Sequence, residues 1–297
     1  MPPLQKKTSM NHFQIDLFQN NVDKIINALI SAFRLGNTIE AKQRFQLLKK
    51  EHPHHSQLAD LQKLLTAQQK LNMPVKNIQH ELNELRHLSA FAGKWLGKDA
   101  NDYLIPLWQR LVPALQGQRF NPLIPELHCS FIYYEMTDWA GVREAVENEP
   151  FWYQHFTLAL RLCEALYFLN ELDTVIEIWF YLFWQFPDKA VTAISSSQNL
   201  HLTLRDRWRA FENIEEELNS VHFPVWMLLT DSKLIHYLPK KNLPVSSVHS
   251  KNYHAIRQAL LQKQEKTEKE VELKLRIALK QTDEDLLKCY LKRLHTS

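Results

Sequence analysis

"VIEIWFYLFWQFP", residues 175–187, carries six aromatic side chains and a single formal charge. A stretch this apolar crosses a membrane, lines a ligand pocket or fills a core, and its length is the first test. The uninterrupted apolar run covers only 178–183, between Glu177 and Gln185, with Asp188 just beyond. A spanning helix needs about 18 or more apolar residues with few or no charges, so a buried core helix is expected instead. On a helical wheel Val175, Ile176, Ile178, Trp179, Phe180, Leu182, Phe183 and Phe186 cover more than half the circumference. Glu177, Tyr181, Trp184 and Gln185 are left on a narrow polar side. A helix apolar over that much of its surface is packed on both flanks, which predicts a place at the centre of a core.

The rest of the composition agrees with helices. The 297 residues include only five glycines, at 36, 93, 97, 117 and 141, where average usage of about 7% would supply roughly twenty. Hairpins and phosphate-cradling loops consume glycine, so an all-α chain is expected. The formal charge of +3, from 36 basic and 33 acidic residues, describes a mixed surface and argues against nucleic acid as a general partner. Cys129, Cys163 and Cys289 are far apart and lie in apolar helical patterns, as reduced core thiols do. The opening "MPPLQKKTSMNHFQ" has no apolar run of the signal-peptide kind. A cytoplasmic chain without a membrane span is expected.

The segment 166–187, "LYFLNELDTVIEIWFYLFWQFP", has a counterpart at 32–53, "AFRLGNTIEAKQRFQLLKKEHP". Each runs from an apolar helix through a short turn into a second helix that stops at a proline. Gly36 and Asn170, each 17 residues before Pro53 or Pro187, suit the left-handed conformation at a helix C-terminus. Ala41 and Val175 take a small-residue position, and Phe45 and Trp179 a large one on the same face. With Leu29, Ala32 and Leu48 in the first copy and Cys163, Leu166 and Leu182 in the second, the spacing resembles the tetratricopeptide repeat, a 34-residue helix–turn–helix unit. A looser third copy spans 132–150, with its turn at Thr137 and Asp138. The resemblance implies a helix–turn–helix array, a TPR-like α-solenoid in which each pair buries its apolar face against the next.

The chain accordingly reads as an N-terminal arm (1–20), a TPR-like α-helical array (21–240), a linker (241–252) and a helical C-terminal extension (253–297). Helices are expected at 57–72 and 77–92, with a kinked or broken one at 103–115 around Pro106 and Pro113. Pro125 reads as the first turn of another helix. The stretch 203–221 reads as one helix capped by Thr203, followed by a short buried helix from Phe223. "VELKLRIAL" (271–279) alternates with the period of a strand, but helix propensity and the all-α setting favour a helix. Thr282 and Asp285 form a capping box for a last helix.

Motifs that carry chemistry are sparse. His52, His54 and His55 cluster around Pro53, and His80, Glu84 and His87 share one helix face. Neither set supplies four ligands for zinc, and both read as polar surface. No GxSxG elbow, GxxxxGK[ST] or GxGxxG occurs, so no catalytic residue, metal or cofactor is assigned. The carboxylate pairs Glu215–Glu217 and Asp283–Asp285 read as charged helix faces. "RDRWRAF" (205–211) places Arg205 and Arg209 on one face beside Arg207 and Trp208, a mixture that could stack bases and pair phosphates. Glu212 and Glu215–Glu217 offset its field.

What remains is partner binding. In arrays of this kind the first helix of each pair lines a concave surface, here Asn27, Ser31 and Arg34 in one copy and Arg161, Glu164 and Phe168 in the other. Such a mixed groove accepts an extended or helical peptide. The basic, asparagine-rich clamp by which some tetratricopeptide proteins hold chaperone tails is missing, with Ile26, Ile30, Phe33 and Arg34 at those positions, and Leu160, Glu164, Tyr167 and Phe168 in the second copy. The sequence therefore favours a non-catalytic adaptor or assembly factor for a protein or peptide partner. A helical enzyme or a nucleic-acid-binding protein, with a site assembled from distant residues, is the alternative. An uncovered apolar stripe on the C-terminal extension would permit a homodimer.

Overall fold

A computed structural model of the chain describes residues 10–197, 200, 202–214, 218–236, 238, 247–261, 268–282 and 284–296. These residues are all-α, with no strand among them. Residues 1–9 of the expected arm, Glu215–Glu217, Asp283, residues 241–246 of the linker and the Thr282 side chain of the capping box lie outside the description. Contacts divide the chain into two units, 1–138 and 139–297.

The first unit holds α1 (Met10–Arg34), α2 (Thr38–Glu51), α3 (Leu58–Gln69), α4 (Ile78–Leu96), α5 (Ala100–Gln109), α6 (Val112–Leu115) and α7 (Cys129–Glu135). The helix begins at Met10, within the stretch read as an arm. Helix starts are set by asparagine: Asn37 Oδ1 accepts the Glu40 N–H and Asn77 Oδ1 the His80 N–H, both at 3.1 Å. Successive helices pack on one another from α1 to α5, and α1 also reaches α3, α4 and α5. Leu29, Phe33, Phe45, Leu64, Leu82 and Trp108 are buried in the resulting core. The expected break at 103–115 is the gap between α5, with Pro106 inside it, and α6, with Pro113 in its first turn. The start expected at Pro125 is not there. α7 begins at Cys129, where the extended His128 accepts the Ser130 N–H through Nδ1 at 3.3 Å.

The second unit holds α8 (Trp139–Glu147), α9 (Phe156–Phe168), α10 (Leu172–Gln185), α11 (Pro187–Ser196), α12 (Leu202–Glu212), α13 (Phe223–Thr230), α14 (Val248–Leu261), α15 (Glu268–Thr282) and α16 (Glu284–Thr296). Neighbours pack in succession from α8 to α11 and again from α12 to α16, and α10, the aromatic stretch, meets α9, α11, α13 and α14. It is core, as its sequence implied, and more completely so. Tyr181 and Trp184, expected on the polar side, are buried against Tyr153 and Tyr253, with ring centroids 6.0 and 5.0 Å away. The helix expected over 203–221 stops at Glu212, because Asn213 Nδ2 donates to the Arg209 carbonyl at 2.7 Å and closes the helix end. Thr203 lies inside α12 rather than capping it. The 271–279 stretch is helical, with Leu275 and Leu279 buried four residues apart.

Three helix ends share one geometry. Gly36, Thr137 and Asn170 have φ of +66°, +55° and +62°. At each, the next residue's N–H bonds back five residues, to Ala32, Tyr133 or Leu166, at 2.9 Å, which satisfies a carbonyl the helix would otherwise leave open. Five and nine residues beyond each turn the side chains are buried: Ala41 and Phe45, Val142 and Val146, Val175 and Trp179.

Candidate functional site

In the first unit, α3 and α4 diverge enough to leave a cleft of about 520 Å³, closed at one end by α5. Ala67, near the C-terminal end of α3, forms the α3 wall of the cleft with Gln62, Lys63 and Thr66. Leu85, Leu88 and Phe91 from α4 and Leu107 from α5 complete an apolar floor. The rim is charged. Lys70 Nζ lies 2.6 Å from Glu84, whose carboxylate also meets His80 Nδ1 at 3.4 Å. Arg110 pairs with Glu81, and both side chains are largely buried, at 11% and 13% exposure. Arg110 Nε also donates to the Met73 carbonyl at 2.8 Å, so the closed end is a fixed network.

The open end is less balanced. Lys63 Nζ stands 4.1 Å from the Phe91 ring centroid, a cation–π placement. Its nearest carboxylate, Asp60, is 3.9 Å away and is shared with Lys94 at 3.4 Å. Among the lining residues Lys63, Lys70 and Arg110 face Glu81 and Glu84, leaving one positive charge in excess. The arrangement can seat an apolar side chain and orient an acidic neighbour.

The residues expected from sequence to bind a partner fall in both units. Asn27, Ser31 and Arg34 line the exposed side of α1. Arg34 is committed within its own unit, with Nε 2.9 Å from Asp99 and a bond to the Leu96 carbonyl at the end of α4. Arg161, Glu164 and Phe168 lie along α9 in the second unit, the two former half-buried. Phe168 is 45% exposed and stacks on Trp139 of α8, with centroids 4.3 Å apart and planes 10° apart. Beside this pair Arg143 bridges Glu147 at 3.1 Å and Glu171 at 2.5 Å. Phe168 is exposed and Trp139 half-buried, so this stacked pair reaches the surface beside an ion network.

Sequence reasoning missed the α3–α4 cleft. The available signal was the stripe Lys63 and Ala67 on α3, with Lys70 just beyond it, against Glu81, Glu84, Leu88 and Phe91 on α4, but only the fold shows that these stripes face each other. His80 and Glu84 meet within this rim. Among the described residues no group of three or more His, Cys, Asp or Glu could hold a metal ion. His55 Nδ1 accepts the Gln57 N–H at 3.3 Å in the loop after α2. Burial pushes the Cys163 thiol well above its ordinary pKa, with Glu164 adding to the shift, and its Sγ donates to the Val175 carbonyl at 3.5 Å; a thiol so held is a poor nucleophile. On the C-terminal helices Leu273 and Ile277 are exposed four residues apart. No described helix is long and apolar enough to cross a membrane. Comparison with protein-family models, curated proteins and solved structures finds no match for this chain.

Proposed function

We propose that the chain is a non-catalytic adaptor or assembly factor that holds a peptide segment of another protein. The α3–α4 cleft carries this reading. Its floor is apolar, its size lies within the few hundred to about 1,000 Å³ typical of ligand-binding sites, and its residual charge is positive. The segment it fits presents one large apolar side chain flanked by an acidic residue that pairs with Lys63. The three turns at Gly36, Thr137 and Asn170, with buried residues in common register beyond them, support a degenerate tetratricopeptide-like repeat as the framework. The Trp139–Phe168 patch, with Arg161 and Glu164 along the same helix, offers a second contact surface.

Selection from a random peptide library against the purified chain, followed by titration calorimetry, tests this. The expected ligands combine an aromatic or leucine with Asp or Glu. Ala67→Trp, which fills the cleft, abolishes binding, and Lys63→Glu weakens it about tenfold, the loss of one charge-assisted contact. Peptides that bind Ala67→Trp as well as the wild type would remove the cleft from the proposal.

A further inference from the structure

Phe151, in the loop between α8 and α9, stands at φ +57° and ψ +28°, in the left-handed region that a bulky side chain rarely occupies. It is also 60% exposed. At Gly36, Thr137 and Asn170 the same backbone region closes a helix end, whereas Phe151 lies four residues beyond α8. Its backbone is held by the Gln154 N–H, which donates to the Phe151 carbonyl at 2.8 Å, and by the Trp152 N–H, which donates to Glu149 at 3.2 Å. The ring meets Tyr153 edge-on at 6.1 Å, and Tyr153 is fixed in turn against buried Tyr181 at 6.0 Å. Strained residues held in place by their surroundings cluster at binding and switch sites, and a ring already held outward loses little freedom on docking. Its neighbourhood is acidic: residues 144–154 carry Glu144, Glu147 and Glu149 and no basic residue. Other exposed large apolar side chains differ. Leu35 and Ile39 lie between Arg34 and Arg44, Leu123 follows Arg119, and Leu202 precedes Arg205. Phe168 has acidic neighbours, but its ring lies flat on Trp139.

We propose that the α3–α4 cleft takes Phe151 of a second copy of this chain. The loop presents what the cleft fits, one large apolar side chain among acids, against an apolar floor with one positive charge in excess. The ring is the anchor. The glutamates act through their field and no new ion pair is required of them, since Glu147 already bridges Arg143 at 3.1 Å. This pairing rests on the peptide-binding role proposed for the cleft and gives it a ligand. Loop and cleft are two different surfaces, so the contact is heterologous, and a pair of copies still has one cleft and one ring unused.

Sedimentation velocity of the full chain supplies the test. One anchor and a small rim make a weak contact, so association is expected to appear between about 10 and about 500 µM and to grow with concentration. Phe151→Gly removes the ring and suits the left-handed backbone, so it is expected to fold and to stay monomeric. Ala67→Trp, with its cleft filled, is expected to stay monomeric as well. Mixed, the two are expected to form one-to-one pairs that grow no further, because the first supplies an open cleft and the second a ring. Lys63→Glu, on the exposed side of α3, is expected to weaken association about tenfold and replaces Ala67→Trp if that variant folds poorly. A wild type that stays monomeric while library peptides bind its cleft overturns this pairing and leaves the peptide-binding role standing. Peptides that bind Ala67→Trp as well as the wild type overturn both. Association that survives Phe151→Gly or Ala67→Trp, or a mixture of the two that stays monomeric, overturns the pairing.

Discussion

Replacing Tyr103 by Phe is expected to destabilise the protein at neutral pH and stabilise it in strong alkali. Tyr103 is buried on α5, its ring edge against Phe33 at 5.9 Å, and its hydroxyl donates to the Leu64 carbonyl of α3 at 2.6 Å. Losing that bond while keeping the ring costs about 1 kcal/mol at pH 7, the usual net worth of an intramolecular hydrogen bond. Burial also pushes the Tyr103 phenol well above the ordinary tyrosine pKa. The folded state therefore keeps its proton where the unfolded state, ionising near pH 10, has lost it. A raised phenol pKa favours the folded state's neutral form, so its penalty is absent below about pH 10 and grows as pH rises above it.

The size of the penalty follows from the same linkage. With the folded phenol still protonated, the wild type loses RT ln(1 + 10^(pH − 10)) relative to the variant, about 1.4 kcal/mol at pH 11. The two effects cancel near pH 10.6, about where the linkage loss reaches 1 kcal/mol. Tyr181, Tyr253 and Tyr290 are shifted the same way, but they are present in both proteins and drop out of the difference. Urea unfolding followed by far-ultraviolet circular dichroism at pH 7 and pH 11 measures it. A variant less stable than wild type by the same amount at both pH values would refute the reasoning.

Phe183→Ala removes a fully buried ring that contacts Trp208 and Phe223 at 5.0 Å each; the cost is about 3–5 kcal/mol, visible as lost amide-exchange protection in α10 and α13. Asn170→Ala places a methyl side chain at φ +62° and costs about 1 kcal/mol, whereas Asn170→Gly changes stability by less than about half that. Chemical denaturation of the two variants side by side reads the difference, and equal stabilities would contradict the strain assigned to this turn.

What was legible in the sequence was local. Gly36 and Asn170 announce their turns because few residues tolerate positive φ, and the density of apolar residues from Val175 to Phe186 announces burial. The full enclosure of α10 was hidden because the residues covering Tyr181 and Trp184 are Tyr153 and Tyr253, remote in sequence. The end of α12 was hidden because helix propensity continues beyond it while one side-chain hydrogen bond from Asn213 does not. The α3–α4 cleft depends on pairs such as Lys70 with Glu84 and Arg110 with Glu81, which neither helix specifies by itself. "RDRWRAF" shows the opposite case: its spacing places Arg205 and Arg209 on one face, yet their placement beside Ser195 and Ser197 is visible only in the fold.

The three equivalent turns show what holds the local geometry in place. Glycine, threonine and asparagine occupy the same left-handed position, although a β-branched residue is disfavoured there. Thr137 cannot be present because its conformation is intrinsically preferred. The bonds from Thr137 N–H to Tyr134 and from Asp138 N–H to Tyr133, both 2.9 Å, hold its backbone, and its hydroxyl donates to the Met136 carbonyl at 2.7 Å. What recurs at these turns is the closure of helix carbonyls and the burial of side chains five and nine residues onward, while residue identity varies from Ala41 to Val142 to Val175 and from Phe45 to Val146 to Trp179. Side-chain volume at those positions can therefore drift while helix spacing is kept, and a residue such as Ala67 on the wall of the α3–α4 cleft can change in size without removing a backbone hydrogen bond. On this reasoning Ala67→Trp fills the proposed peptide site while leaving the backbone hydrogen bonds of α3 in place.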